Sequence, residues 1–411
     1  MLDEKTFYDL SLISYFDAYQ PGVCVDTLIE QILEDTVMDE EYPNDVTLPY
    51  HKEALSKIPK GRYSNIYVKE FVDDNANSGV VFYRFTCEEG EIFAFRGSEA
   101  LDDVNHRTGW QDWTDNFHMF LGGPTYQQLI ALHEIQKRDI ETPFYLCGHS
   151  KGGNLAMYVA LTMNAILLSQ LQSVVSFNAP GITKNILDVY QMRATDPEFL
   201  KKIMIFECEN DCISSFFENL TTPYYIRSSI PCNNLIQLYH NHQLYAMDFD
   251  DNQYILAEKK TAIPKIVYHF VNDFFVNLKE ERLHSVVSTM DDYFNSALSM
   301  SELYKVLLYH ISLYTNIFED IPYEEIQTIT FQDLIERRKT KNLINKVKEK
   351  AVQTLNEVNI KEITQGIIDN YEVLIDTKKS QLQELVNRNN ERIISAIRSI
   401  RNEENKEETK E

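Results

Sequence analysis

Ser150 lies in "FYLCGHSKGGNLAMYV", residues 144–159, with Gly148, Gly152 and Gly153 around it. The chain has only 13 glycines in 411 residues, against roughly 7% in an average protein. Glycine is costly in regular structure and is kept where the backbone turns sharply or is closely approached. Gly148-His149-Ser150-Lys151-Gly152 fits G-x-S-x-G. The apolar run before it reads as a strand and the apolar run after it as a helix, which is the context a nucleophile elbow requires. In such a turn the serine is held in a strained conformation, with its hydroxyl above the sheet at a helix N-terminus. Developing negative charge is favoured there. The backbone N–H of Lys151, the residue after the serine, supplies one oxyanion donor. His149 is an immediate neighbour, and its side chain is expected to point away from the hydroxyl.

A serine nucleophile needs a base and an acid, which follow it in the order Ser, Asp, His in this type of fold. "KIMIFECENDCISSFF" offers Asp211 just past a predicted strand end, with Glu209 as its rival. "LYHNHQLYAMDF" offers His240 and His242. Loop residues at strand ends reach the site of an open sheet, and this places either carboxylate within range. The bland readings are a loop carboxylate and surface histidines.

The elements that must position these residues alternate. "NIYVKEFVDD" and "GVVFYRFTCEEGEIFAFRGS" read as strands, the latter a pair joined at Glu88–Gly90. "FYDLSLISYFDAY" reads as a helix, followed by an acidic loop near Glu34–Asp45. "TYQQLIALHEIQKR" reads as a helix, "FYLCG" as a short buried strand, and "NLAMYVALTMNAILL" as one apolar helix. "SVVSFNAPG" and "KIMIFECEND" are further buried strands. Strands alternating with helices predict an α/β fold with a mostly parallel sheet. From about Lys265 the pattern turns helical, and all glycines but Gly366 lie at or before Gly181.

"GHSKGGNLA", with "FRGS" upstream and "FNAPG" downstream, resembles bacterial lipase-like α/β-hydrolases related to class 3 lipases. The resemblance extends over roughly residues 5–295, through "LSLISYFD" and "VNDFFVNLKEERLHSVV". It implies an α/β-hydrolase fold with a mostly parallel central sheet, followed by a helical C-terminal region. It also implies that Ser98 of "FAFRGS" supplies the second oxyanion donor, through its backbone N–H and its hydroxyl. Asp211, in an Asn-Asp pair similar to that family's, is implied as the acid. His242, followed by Gln-Leu-Tyr, fits the family's base better than His240. "GWQDWTDNF" matches a Trp/Asp-containing segment, and Glu99–Gly109 occupies the place of a lid. The activity implied is cleavage of carboxylic esters of lipids or small acyl groups through a Ser-His-Asp triad and an acyl-enzyme. No cofactor or metal is expected. The alternatives are a thioesterase or peptidase on the same triad, or a non-catalytic α/β-hydrolase-fold interaction protein.

Composition bounds the rest. Hydrophobic residues at 44% and aromatics at 12% describe a folded chain, long enough for more than one domain. The expected division is a catalytic domain over 1–264, a helical extension over 265–336 and an amphipathic tail over 337–411. A net charge of −24 argues against nucleic acid as a partner. The acidic excess lies before Arg337, and the tail is mildly basic. Packing on the acidic body, self-association through the C-terminal helices and contact with an anionic membrane surface are the roles the tail leaves open. The first residues lack the pattern of a signal peptide and no apolar run reaches a membrane span of roughly 18 residues. The expected address is the cytoplasm, with six reduced cysteines.

Overall fold

The computed structural model describes residues 2–18, 20–35, 47–99, 109–233, 235–250 and 253–262, with isolated positions up to 288. The chain divides into two units, Met1–Lys339 and Thr340–Glu411. The acidic loop beyond residue 35, residues 100–108 of the Glu99–Gly109 loop expected in the place of a lid, nearly all of the segment expected to be a helical extension and the whole expected tail lie outside the described residues.

Among the described residues seven strands form one sheet in chain order: β1 (Tyr67–Asp73), β2 (Val81–Cys87), β3 (Gly90–Phe95), β4 (Phe144–His149), β5 (Leu171–Phe177), β6 (Ile203–Cys208) and β7 (Tyr224–Ile226). The first three are antiparallel, and the β2–β3 turn is the one predicted at Glu88–Gly90. From β3 to β7 every pairing is parallel. A two-stranded ribbon, β8 (Phe249–Asp250) with β9 (Gln253–Tyr254), follows. The chain has an α/β fold with a mostly parallel central sheet.

The helices are α1 (Glu4–Ile13), α2 (Val25–Glu34), α3 (Leu48–Ser56), α4 (Trp110–His118), α5 (Tyr126–Gln136), α6 (Lys151–Thr162), α7 (Ala165–Gln170), three short ones, α8 (Lys184–Val189), α9 (Gln191–Ala194) and α10 (Pro197–Leu200), and α11 (Leu235–His242). The predicted single helix over "NLAMYVALTMNAILL" is in fact two. Met163 turns to an extended conformation, and Asn164 caps α7 by accepting from the Leu167 N–H at 3.0 Å. An asparagine side chain competes well for orphan amides at a helix start. This one ends the apolar run's first helix and begins its second.

Strand side chains alternate between faces, and both faces of this sheet are covered. Tyr83, Phe85, Ile92, Ala94, Val175 and Phe177 pack in a cluster with Leu10, Ile13 and Leu28. Phe82, Phe93, Phe95, Phe144 and Leu146 pack with residues of α5 and α6. Strands buried on both sides read as continuous apolar runs, which is why "FYLC" and "SVVSF" carry no polar alternation. Among the described residues no helix is long and apolar enough to cross a membrane.

Candidate active site

Ser150 stands between β4 and α6 with φ 54° and ψ −125°. A non-glycine residue pays for a positive φ, typically about 1–3 kcal/mol, so the surroundings must hold it there. The Ser150 N–H donates to the Phe177 carbonyl at 2.8 Å, and its own carbonyl accepts from Asn154 N–H at 3.1 Å. The flanking glycines are required by close approach. A Cβ on Gly148 would lie 2.4 Å from the Gly152 carbonyl carbon. One on Gly152 would lie 2.2 Å from the Phe95 carbonyl oxygen, at the end of β3. These contacts press the start of α6 onto β4 and β3 and leave the serine at the crest.

α6 is also pinned to the loop after β5. Asn154 is fully buried, donates to the Gly181 carbonyl at 2.8 Å and accepts from Gln128 Nε2 at 2.8 Å. The "GGN" and "APG" parts of the sequence meet through this side chain.

Asp211 lies in the loop after β6 and is fully buried. One carboxylate oxygen accepts from the Ile213 N–H and the other from the Ser214 N–H, each at 3.0 Å. Burial pushes the Asp211 carboxyl up, but the His242 imidazole, Lys260 and the Ser214 donor outweigh it and hold the group below its ordinary value. His242, at the end of α11, places Nδ1 3.0 Å from Asp211 Oδ1 and Nε2 2.7 Å from Ser150 Oγ. An ionised carboxylate only accepts, so Nδ1 carries the proton and Nε2 is left to accept from the serine hydroxyl. The predicted Ser150, Asp211 and His242 are therefore brought into one hydrogen-bonded line.

The rivals are engaged elsewhere. Glu209 accepts from the Ser228 N–H at 3.1 Å. His240 Nδ1 is 2.6 Å from the Tyr245 hydroxyl. His149, buried, has Nδ1 2.6 Å from the Tyr15 hydroxyl and Nε2 2.8 Å from the backbone carbonyl of His242. That carbonyl also accepts from Asn178 Nδ2 at 2.8 Å. Sequence reasoning missed Asn178 and Tyr15. The positive φ of Asn178, 47°, beside the elbow is a structural mark that the residue string does not carry.

Lys151 begins α6, and the amide of a first helical residue has no partner within its helix. Ser98 follows Gly97, on which a Cβ would meet the His149 carbonyl oxygen at 2.7 Å. The end of β3 thus lies against the elbow. The Ser98 hydroxyl accepts from Asn116 Nδ2 at 2.8 Å. The Lys151 side chain is buried, pairs with Asp115, and has Nζ 3.3 Å from Asn116 Oδ1. The sequence pointed to the Lys151 backbone alone; the buried ammonium was not foreseen. All six cysteines are free thiols. No group of three or more His, Cys, Asp or Glu side chains suited to a metal ion occurs among the described residues.

A model of the Mbeg1-like family matches residues 58–292. No curated protein gives a significant match. Among solved structures, a mutant form of MDLA from Penicillium cyclopium aligns at 11% identity over 62% of this chain and 84% of that one, with a TM-score of 0.33. A structure described as showing an unusual buried polar cluster in a family of fungal lipases aligns at 12% identity over 66% of this chain and 92% of that one, also with a TM-score of 0.33. A triacylglycerol lipase from Penicillium expansum aligns at 14% identity over 48% and 75%, with a TM-score of 0.24.

Proposed function

The chain belongs to the Mbeg1-like family, and from that premise we propose that it is a serine hydrolase that cleaves carboxylic esters of lipids or small acyl groups. The observation that carries the reading is the line from Asp211 through His242 to Ser150, with contacts of 3.0 and 2.7 Å. In the proposed reaction His242 Nε2 takes the Ser150 proton as Oγ bonds to the acyl carbon. Asp211 holds the imidazole in its tautomer and stabilises the imidazolium. The carbonyl oxygen becomes an oxyanion received by the amides of Lys151 and Ser98, a donor being typically worth about 10²–10³ in rate. As the ester C–O bond breaks, the leaving alkoxide takes the proton back from His242. Water then adds to the acyl-enzyme by the same route and releases the acid. No metal or cofactor enters this scheme. The cytoplasm is the proposed address, and the segments over 265–336 and 337–411 are proposed to stand outside the chemistry.

The test is reaction with a fluorophosphonate and with p-nitrophenyl esters of graded chain length. Wild type is expected to be labelled and to hydrolyse short esters. Ser150→Ala is expected to lose both while keeping its fold. Equal labelling of the two proteins would remove the proposal.

A further inference from the structure

The residue after the nucleophile is a lysine whose side chain is almost wholly inside the protein. Burying an ammonium is expensive unless it is paired and hydrogen-bonded. Its partners form a chain. Asp115 of α4 pairs with Lys151 Nζ and, through its other oxygen, accepts from the Gln127 N–H of α5 at 3.1 Å. Lys151 Nζ also reaches Asn116 Oδ1 at 3.3 Å, and Asn116 Nδ2 donates to Ser98 Oγ at 2.8 Å.

Donor and acceptor rules give this chain a direction. An ammonium has three donors and no acceptor. The atom of Asn116 facing Nζ must therefore be its oxygen, and its NH₂ must face Ser98. A serine hydroxyl has one proton and accepts through its lone pairs. With Asn116 donating to Ser98 Oγ, the Ser98 proton cannot be spent on Asn116 and is free for an incoming acceptor. Reversing the amide would put NH₂ against NH₃⁺ and turn the Ser98 proton inward. The buried charge thus selects one amide orientation, and that orientation selects where the hydroxyl proton points.

We propose that Lys151 and Asn116 are positioning residues that keep the Ser98 hydroxyl proton aimed at the oxyanion, making that hydroxyl a third donor beside the Lys151 and Ser98 amides. The inference rests on the serine-hydrolase reading and deepens it. It accounts for a lysine at this position: the ammonium acts through Asn116 and Ser98, while its own charge is neutralised by Asp115 on the side of α4.

The experiment is the rate of phosphonylation by a fluorophosphonate. Ser150 Oγ bonds to phosphorus, fluoride leaves, the serine proton passes to His242, and the phosphoryl oxygen takes the oxyanion's place. Ser98→Ala is expected to lower the maximal inactivation rate about 10²-fold, with the half-saturating concentration little changed. Asn116→Asp keeps the shape of the side chain but presents only acceptors, so Ser98 must turn its proton to the carboxylate. It is expected to match Ser98→Ala within about threefold and to cost nothing more when added to Ser98→Ala. Asn116→Ala, which removes the donor without adding charge, is expected to lose about tenfold, and again nothing in the Ser98→Ala background. A normal rate in Asn116→Asp, or a further loss when it is added to Ser98→Ala, would overturn the relay while leaving the hydrolase reading intact. Wild type that is not labelled at all would overturn both.

Discussion

His149, the residue before Ser150, places its Nε2 2.8 Å from the backbone carbonyl of His242. Its ring nitrogens face away from the Ser150 hydroxyl, toward Tyr15 and the His242 backbone. With Nδ1 against the Tyr15 hydroxyl at 2.6 Å, both ring nitrogens are occupied by neutral partners. The ring and Asn178 together clamp the carbonyl of the residue whose imidazole faces the serine. A neutral imidazole serves here: Nε2–H donates to the carbonyl and Nδ1 accepts from the phenol.

This clamp makes stability depend on pH. Burial first, and then the neighbouring His242 ring, hold His149 well below the ordinary histidine value of 6.5. The unfolded chain therefore binds a proton below about pH 6.5 that the folded chain refuses. Stability is full above that pH and falls as the solution is acidified, by up to about 1.4 kcal/mol per pH unit from this group. His149→Gln, which can still donate and accept, is expected to be less stable at pH 8 but to show a shallower fall between pH 7 and pH 5. Urea unfolding at several pH values checks this. An unchanged slope would mean that another group controls it.

The elbow glycines differ sharply from others in what they tolerate. Gly152→Ala forces a Cβ to 2.2 Å from the Phe95 carbonyl and 2.7 Å from that of Arg96, both backbone atoms that cannot rotate away. A loss of about 3 kcal/mol or more is expected. Gly123→Ala meets nothing within 4 Å and is expected to stay within about 0.5 kcal/mol of wild type. Thermal melts of the pair decide it, and similar melting temperatures would contradict the account of the turn.

Behind Asp211 lies a second buried ion pair. Lys260 Nζ is 2.8 Å from Glu207 Oε2 and donates to the hydroxyls of Ser214 and Ser215 at 2.7 and 2.8 Å. Ser214 is the residue whose N–H holds Asp211. Lys260→Met leaves Glu207 charged and buried without its cation, which is expected to cost about 3–5 kcal/mol. Adding Glu207→Gln is expected to restore most of that stability, because the stranded charge is gone. Chemical denaturation of the single and double variants measures the difference. A double variant as weak as the single one would refute the charge argument.

The strand–elbow–helix unit was readable from the string because its cause is local. Three glycines in six positions encode backbone contacts within a few residues, and the apolar runs on either side encode a strand buried on both faces and a packed helix. The β2–β3 turn at Gly90 and the parallel strands carrying "SVVSF" and "KIMIFE" were readable for the same reason. The break between α6 and α7 was not, because apolar composition continues through it and only the Asn164 cap ends the first helix. Composition left Glu209 beside Asp211 and His240 beside His242. Which carboxylate faces His242, and which histidine faces Ser150, follows from the path of the loop after β6 and from the end of α11. Tyr15, Asn116 and Asn178 lie in segments that carry the family resemblance, but no local pattern marked them, or the ammonium of Lys151, as parts of the site. Each takes its place from a contact between segments 18 to 134 residues apart, and a hydrogen bond across such a span exists only once the sheet has brought its strand ends together.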